Sequence, residues 1–314
     1  MQAYLIRRAI TFAVTVWLAA SLAFATLLVI PGNPAQIILG IDASPEAVAA
    51  VERALGLDLP PWTRYVHWLA DLVRFDLGAS LVYGVSVWSL IAERLRVTLP
   101  LTALALGLAL LIGIPLGLFA ATRRGSFADL LATAFAQAGI ATPSFWLGIF
   151  LILVFAVNLR WLPAGGFTPW SQNAARAFLS LLLPAVALGT ARAASLTRIV
   201  RSAALEVLSA DYVRTARAKG VPESRVIRRH VLRNALISVS TVVSMEVAQL
   251  LAGAIIVETV FTLPGLGALV LSAVSNRDFP LIQGIVVCMA AAILVLSLLT
   301  DVLYAYLDPR IRYS

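Results

Sequence analysis

Long apolar stretches separated by polar segments run through the chain from beginning to end. A helix needs about 20 mostly apolar residues to cross a bilayer. Six stretches meet that length, at residues 9–30, 97–121, 136–158, 178–198, 235–257 and 281–306. Pro143 and Pro184 fall within the third and fourth stretches, where neighbouring helices can satisfy the carbonyl groups that proline leaves without a donor. The pattern predicts an all-α, polytopic membrane protein with about six transmembrane helices.

Composition strengthens this prediction. Apolar residues make up 61% of the 314 residues and charged residues 13%, with a mean hydropathy of +0.92, whereas soluble domains carry about 25% charged residues. A soluble globular protein is therefore excluded. The single cysteine, Cys288, and the two histidines, His67 and His230, provide no disulfide framework and very little material for a metal site. We expect no metal site and no catalytic residues.

The net charge of +8 indicates either a nucleic-acid partner or membrane topology. With the amino terminus placed inside, sixteen of the 24 basic residues fall on or near cytoplasmic segments and eight fall on external ones. The excess of basic residues on inside loops predicts that both termini are cytoplasmic. A nucleic-acid partner is disfavoured because the most basic segment lies between two membrane spans.

The spans divide the chain into a first transmembrane helix at 1–30, an external region at 31–96, a transmembrane domain at 97–306 and a cytoplasmic tail at 307–314. In the external region, Ser44 and Pro45 predict a helix start and Gly56 its end. A second helix following Pro61 has one apolar face, which suits either the membrane surface or packing against the bundle. That face comprises Trp62, Tyr65, Val66, Leu69 and Val73.

The cytoplasmic segment at about 199–234 has the densest positive charge in the chain. From residue 211 the sequence is DYVRTARAKGVPESRVIRRHVLRNAL. It predicts a polar helix ending near Lys219, a left-handed cap at Gly220 and a second helix opening at Pro222. A charged helical hairpin of this kind is suited to docking in a groove of a soluble partner.

This hairpin resembles the cytoplasmic loop of the inner-membrane permease subunits of bacterial binding-protein-dependent ABC importers, in the dipeptide, oligopeptide and nickel group. The general form of that loop is Glu-Ala-Ala followed, after three residues, by Gly, and only Ala216 and Gly220 match it. The peptide-permease form, Tyr-x-Arg-Thr-Ala-Arg-Ala-Lys-Gly, is matched at every specified position. The matching residues are Tyr212, Arg214, Thr215, Ala216, Arg217, Ala218, Lys219 and Gly220.

Further motifs extend the resemblance over nearly the whole chain. They lie in order at residues 4–8, 31–34, 55–60, 76–80, 143–148, 258–261, 264–267 and 307–310. The long external loop after the first span is similar to that of one of the two permease types in this group. The resemblance implies the type I importer permease fold, a multi-pass location in the bacterial cytoplasmic (inner) membrane, and a loop that couples to an ATPase.

The same resemblance implies the partners. They are a second permease subunit that completes a heterodimer, two ATPase subunits that bind ATP and Mg, an external substrate-binding protein, and membrane lipid. The residues agree that the motor belongs to another chain, because the only lysine, Lys219, follows no Gly-x-x-x-x-Gly loop. We expect no cofactor in this chain. The substrate stays open among dipeptides, longer peptides, glutathione-like peptides, nickel and other solutes.

Glu246 lies near the middle of the fifth span, where an unpaired acid costs about 2.5 to 3.5 kcal/mol on insertion scales. Gln249 and Gly253 share its helix face, so these three residues are the candidate lining of a translocation path. An acid paired with a polar group of the partner permease is an equally good hypothesis. An ion-coupled secondary transporter using Glu246 is the alternative function, although no inverted pair of broken helices is evident. An intramembrane protease is disfavoured because neither histidine lies in a span.

Small residues mark two further places. Pro264, Gly265 and Gly267 follow the fifth span, and they are either an external gate over the path or a plain re-entrant turn. They are not a dinucleotide loop, because Val270 occupies the place of the third glycine. In the second span, Gly113 and Gly117 form a face suited to close helix packing, and Pro115 between them predicts a kink equally well.

Overall fold

The computed structural model describes residues 2–29, 34–39, 43–54 and 56–307, and the regular structure in this part of the chain is helical. The helices are α1 (Gln2–Val29), α2 (Pro34–Leu39), α3 (Pro45–Ala54), α4 (Pro61–Val73), α5 (Val87–Thr122), α6 (Phe127–Ala141), α7 (Ser144–Leu151), α8 (Ala174–Ser209), α9 (Asp211–Ala218), α10 (Glu223–Arg225), α11 (Arg233–Val260), α12 (Leu266–Ser275) and α13 (Phe279–Leu307). Two π-helical segments, Ile152–Asn158 and Val226–Leu232, follow α7 and α10. The all-α prediction is confirmed. The motif at 31–33 and the tail beyond residue 307 lie outside the described residues.

Five of the predicted spans lie on α1, α5, α8, α11 and α13. Within the described residues, three helical stretches are long and apolar enough to cross a membrane by length and composition: α5, α8 and Phe279–Leu296 of α13. Pro100, Pro115 and Pro184 lie inside helices that continue past them. These prolines are therefore accommodated, as helix bundles in membranes allow.

The remaining predicted span, at 136–158, is wrong as a single helix. The chain bends by 100° between Phe127–Ala141 and Ser144–Asn158. Thr142 is extended, with φ −84° and ψ 118°, and Pro143 precedes the first residue of α7. Proline disfavours the helical conformation in the residue before it and lacks an N–H group, so α6 ends at Ala141.

Contacts divide the chain into two compact units, the first built mainly from Met1–Arg96 and Ala268–Leu294. In this unit the Tyr65 hydroxyl of α4 lies 2.6 Å from the Ser21 hydroxyl of α1, and Phe24 contacts the rings of Tyr65 and Trp68. One part of the apolar face of α4 therefore packs against α1. The other part is exposed to the surroundings, and the exposed fraction of its Trp62 side chain is 72%.

The second unit, mainly Val97–Gly267, is organised around α8, most of whose first 30 residues are buried or half-buried. Small residues let other helices approach it closely. A Cβ atom at Gly117 of α5 would lie 2.6 Å from the Thr197 carbonyl oxygen, and one at Gly139 of α6 would lie 2.6 Å from the Ala194 Cβ. Gly113 makes a similar approach, so the predicted small-residue face of α5 is confirmed as a packing face.

Candidate functional site

The basic segment folds as the helix, turn and helix that its sequence predicts. Helix α9 ends in a Schellman motif, in which the Gly220 N–H donates to the Arg217 carbonyl at 2.9 Å and the Val221 N–H donates to the Ala216 carbonyl at 3.2 Å. Gly220 has φ +74°, a conformation that residues with a Cβ atom avoid. Pro222 then precedes α10. We call residues 211–232 the basic hairpin.

The hairpin has one packed side and one exposed side. Val213 and Ala216 of α9 are buried in a cluster with Val226 and Val231 of the following segment. The other members of the predicted motif are exposed: Tyr212, Arg214, Thr215, Arg217, Ala218, Lys219 and Gly220. The packed residues hold the hairpin against the rest of its unit, and the exposed residues form a surface available to another molecule.

Two ion pairs brace the exposed side. The Arg217 guanidinium donates to both Glu223 carboxylate oxygens, at 2.6 and 3.1 Å, and joins α9 to α10 across the turn. This hydrogen bonding lowers the pKa of Glu223 and raises that of Arg217. Arg214 pairs with Asp211 at 2.7 Å within α9. Lys219 has no ion pair among the described residues, and its side chain is exposed on this surface.

The hairpin connects α8 to α11, and α11 carries the candidate lining residue Glu246. Only Ala210 separates α8 from α9. At its other end, the π-helical segment Val226–Leu232 continues directly into α11. A displacement of the hairpin would therefore act on the C-terminal end of α8 and the N-terminal end of α11.

Glu246 of α11 is buried and paired within this chain. One carboxylate oxygen, Oε2, accepts a hydrogen bond from Arg192 of α8 at 3.1 Å, and the other, Oε1, accepts one from the Ser195 hydroxyl at 2.8 Å. Gln249 Oε1 also accepts a hydrogen bond from Arg192. We call Arg192, Ser195, Glu246 and Gln249 the polar cluster. The sequence provided the acid and the glutamine, and it placed Arg192 only as a marker of topology.

Gly253, the third residue of the predicted path lining, faces α8 as well. A Cβ atom there would lie 2.9 Å from Leu188 Cδ1. The three predicted lining residues thus follow the contact between α11 and α8, where Gln249 is exposed and Gly253 is half-buried. Because the chain itself supplies a partner for Glu246, a group from another subunit is not needed to explain this acid.

The residues of the predicted external gate form a tight turn that closes over Glu258. This acid, at the end of α11, is 0% exposed. It accepts hydrogen bonds from the Thr98 hydroxyl at 2.5 Å and the Gly267 N–H at 2.7 Å, while the Thr98 oxygen accepts from the Leu266 N–H at 2.9 Å. A Cβ atom at Gly265 would overlap the Glu258 carboxylate. These contacts explain both glycines by packing, and a gating role for Pro264, Gly265 and Gly267 stays a prediction.

A further ion pair, which the sequence did not reveal, fixes the turn between α5 and α6. The Arg201 guanidinium donates to both carboxylate oxygens of Asp129, at 2.6 and 2.8 Å. Asp129 also accepts from the Gly125 N–H at 3.0 Å. Arginine–carboxylate pairs of this bidentate kind are the stronger ones, so the pair anchors this turn to α8. Among the described residues, no group of three His, Cys, Asp or Glu side chains could hold a metal ion.

Comparison with known proteins agrees with this arrangement. The family model described as "Binding-protein-dependent transport system inner membrane component" matches residues 113–313. The model "Binding-prot-dependent transport system membrane comp, N-term" matches residues 1–102.

Three relatives illustrate the similarity. A probable peptide ABC transporter permease protein of Sinorhizobium fredii is 39% identical over 313 residues, covering 100% of both chains. The glutathione transport system permease protein of Shigella flexneri is 39% identical over 314 residues and also covers 100% of both. The dipeptide transport system permease protein of Escherichia coli is 39% identical over 317 residues, covering 93% of this chain and 94% of its own.

A solved structure shares the fold. A chain of the inward-facing MetNI methionine ABC transporter superposes with a TM-score of 0.58, covering 70% of this chain and 96% of its own at 18% identity. The helical bundle with its exposed hairpin agrees with the fold of such a membrane component. The chain belongs to the binding-protein-dependent transport system inner membrane component family, and it is a multi-pass permease of an ABC importer.

Proposed function

We propose that this chain is one of two permease subunits that together enclose a path for peptides or a related small solute. The exposed side of the basic hairpin carries the proposal, because seven of the eight residues that match the peptide-permease motif lie on it. Relatives named as peptide, dipeptide and glutathione permeases support this class of substrate. An external binding protein delivers the solute, and two ATPase subunits bind ATP and magnesium.

The hairpin transmits the ATPase cycle to the membrane helices. ATPase subunits that close on Tyr212, Lys219 and their exposed neighbours displace a braced unit rather than a loose loop. Because that unit is joined to α8 through Ala210 and runs into α11, its displacement changes the packing between these two helices. The path opens alternately to the two sides of the membrane, and no residue of this chain needs to do covalent chemistry.

Glu246, Gln249 and Gly253 line that path in the proposal. A buried acid and an arginine in the middle of two membrane helices belong at a protein interior or a water-filled cavity, since exposure to hydrocarbon is costly. Both termini lie in the cytoplasm in this arrangement. The hairpin then meets the ATPase subunits on the cytoplasmic side, in agreement with the excess of basic residues there.

The competing function is ion-coupled transport through Glu246. Both oxygens of this carboxylate accept hydrogen bonds, one from Arg192 and one from Ser195, so contacts within the chain account for the buried acid without a coupled ion. This arrangement favours the ATP-driven importer.

Uptake by the assembled transporter tests the proposal. The chain is co-expressed with its partner permease, ATPase subunits and binding protein, and radiolabelled dialanine and trialanine uptake is measured in vesicles. We expect uptake to stop when ATP is depleted and the proton gradient is kept. Uptake that persists would support the ion-coupled alternative, and an ATP-driven complex that carries neither peptide would refute the substrate class. We expect Glu246→Gln to leave assembly intact and to alter the uptake rate.

A further inference from the structure

The polar cluster lies near the middle of two long helices. Arg192 is the nineteenth of the 36 residues of α8, and Glu246 is the fourteenth of the 28 residues of α11. At a rise of about 1.5 Å per residue, each is more than about 18 Å from either end of its helix. Both residues also fall within predicted membrane spans, 178–198 and 235–257, where a charged group requires a protein or aqueous surrounding.

The members of the cluster differ sharply in exposure. The Glu246 side chain is 4% exposed and the Arg192 side chain 24%, while Gln249 is exposed. The acid therefore occupies the inner side of the cluster, where Ser195 and Arg192 donate hydrogen bonds to its two carboxylate oxygens. The guanidinium and the amide form the outer side.

The outer side offers hydrogen-bond donors and almost no acceptor. Arginine has five N–H donors and no acceptor, and the contacts of the described residues use only Nη1, on Glu246 and Gln249. Nε is buried without an acceptor among these residues. Arg192 donates to Gln249 Oε1 and so orients this amide. The Gln249 side chain is exposed, and its N–H groups have no acceptor among the contacts of the described residues.

We propose that Arg192 and Gln249 form a binding site, inside the membrane, for carboxylate or main-chain carbonyl oxygens of a solute in transit. Glu246 is the positioning residue, because it holds the guanidinium in place. This inference rests on the proposed function, which provides a solute rich in such oxygens. Glu246 also offsets most of the charge of Arg192, so the site attracts an anion without holding it as tightly as an unpaired arginine would.

Charged thiol reagents test the site without relying on transport. In the complete complex with Cys288→Ala, a cysteine is placed at Gln249, and its labelling by anionic methanethiosulfonate ethylsulfonate is compared with labelling by the cationic trimethylammonium reagent. The ratio of the two rates cancels differences in thiol reactivity. The matched control is Gln137→Cys, another exposed glutamine, on α6. We expect the ratio at 249 to favour the anion more than the ratio at 137 does, by less than the roughly tenfold effect of a cleft lined by charges of one sign, because Glu246 offsets much of the Arg192 charge.

A second variant keeps the test informative. Replacing Arg192 and Glu246 together by glutamine removes both charges and leaves neither buried charge unpaired. We expect the anion preference at position 249 to fall to the control ratio. Dialanine or trialanine, whichever the wild-type complex takes up, should slow labelling at 249 and not at 137.

Three results would overturn the site: no labelling at 249, a preference for the cation, or no protection by a peptide that the complex transports. Each of these results can be obtained with a complex that shows ATP-driven peptide uptake. The proposed binding site is then refuted, while the proposed function stands. A complex that transports neither peptide contradicts the proposed function instead.

Discussion

Replacing Gly220 by alanine isolates the contribution of the hairpin turn. The residue has φ +74°, and a Cβ atom there would have no heavy atom within 4 Å. The substitution therefore introduces no clash and removes no hydrogen bond. Its only cost is the left-handed backbone conformation, which an alanine adopts at roughly 1–2 kcal/mol.

That cost has a measurable size. A free-energy change of about 1–2 kcal/mol shifts a local opening equilibrium roughly 5- to 30-fold. The Gly220 and Val221 amides donate the two hydrogen bonds that close the Schellman motif. We expect both amides to exchange their hydrogens roughly 5- to 30-fold faster in Gly220→Ala. Gly220→Asn should recover most of the protection, because asparagine tolerates this conformation.

The assay pairs hydrogen exchange with ATPase activity stimulated by the loaded binding protein. Gly125→Ala is the matched control, since Gly125 has φ +77° and equally open surroundings in the turn between α5 and α6. We expect Gly220→Ala to weaken stimulation and Gly125→Ala to leave it near the wild-type value. Unchanged exchange at Gly220 and Val221, or equal loss of stimulation in both variants, would refute the reasoning.

Three other substitutions test contacts that hold the bundle together. Thr98→Val keeps the side-chain shape but leaves the buried Leu266 N–H without its acceptor. We expect the free energy of unfolding to fall by about 1–3 kcal/mol, measured as a lower unfolding midpoint. Thr98→Ser, which keeps the hydroxyl, should stay near wild type. Gly117→Ala places a methyl group against α8 and should cost about 1–3 kcal/mol through overpacking; a wild-type midpoint would contradict this. Arg201→Lys cannot make the bidentate contact with Asp129, and faster proteolysis of the α5–α6 turn than in wild type is expected.

The sequence predicted those features of the fold that depend on local chemistry. Apolar runs located the five long helices α1, α5, α8, α11 and α13, and the pattern around Gly220 predicted the hairpin with its left-handed residue. The break at Pro143 was missed, because Pro115 and Pro184 lie in similar apolar runs and do not break their helices. Whether a proline ends a helix depends on packing partners that a single sequence does not show.

The polar contacts were harder to predict because both partners are needed. Glu246 stood out as an acid in an apolar span, but its partner Arg192 is 54 residues away along the chain. Glu258 and Thr98 are 160 residues apart. No spacing rule links residues at such separations, and only the packing of α5, α8, α11 and the turn after α11 brings them together.

Crosslinking from the hairpin tests the central claim most directly. In the Cys288→Ala background, single cysteines at Ala218 and Lys219 carry a benzophenone group, and the intact complex is irradiated. The account predicts crosslinks from both positions to an ATPase subunit, and far fewer from a cysteine at the exposed Ser126 in the α5–α6 turn. An intact complex without crosslinks from Ala218 and Lys219, or with equal yield from Ser126, would contradict the assignment of this hairpin as the coupling element.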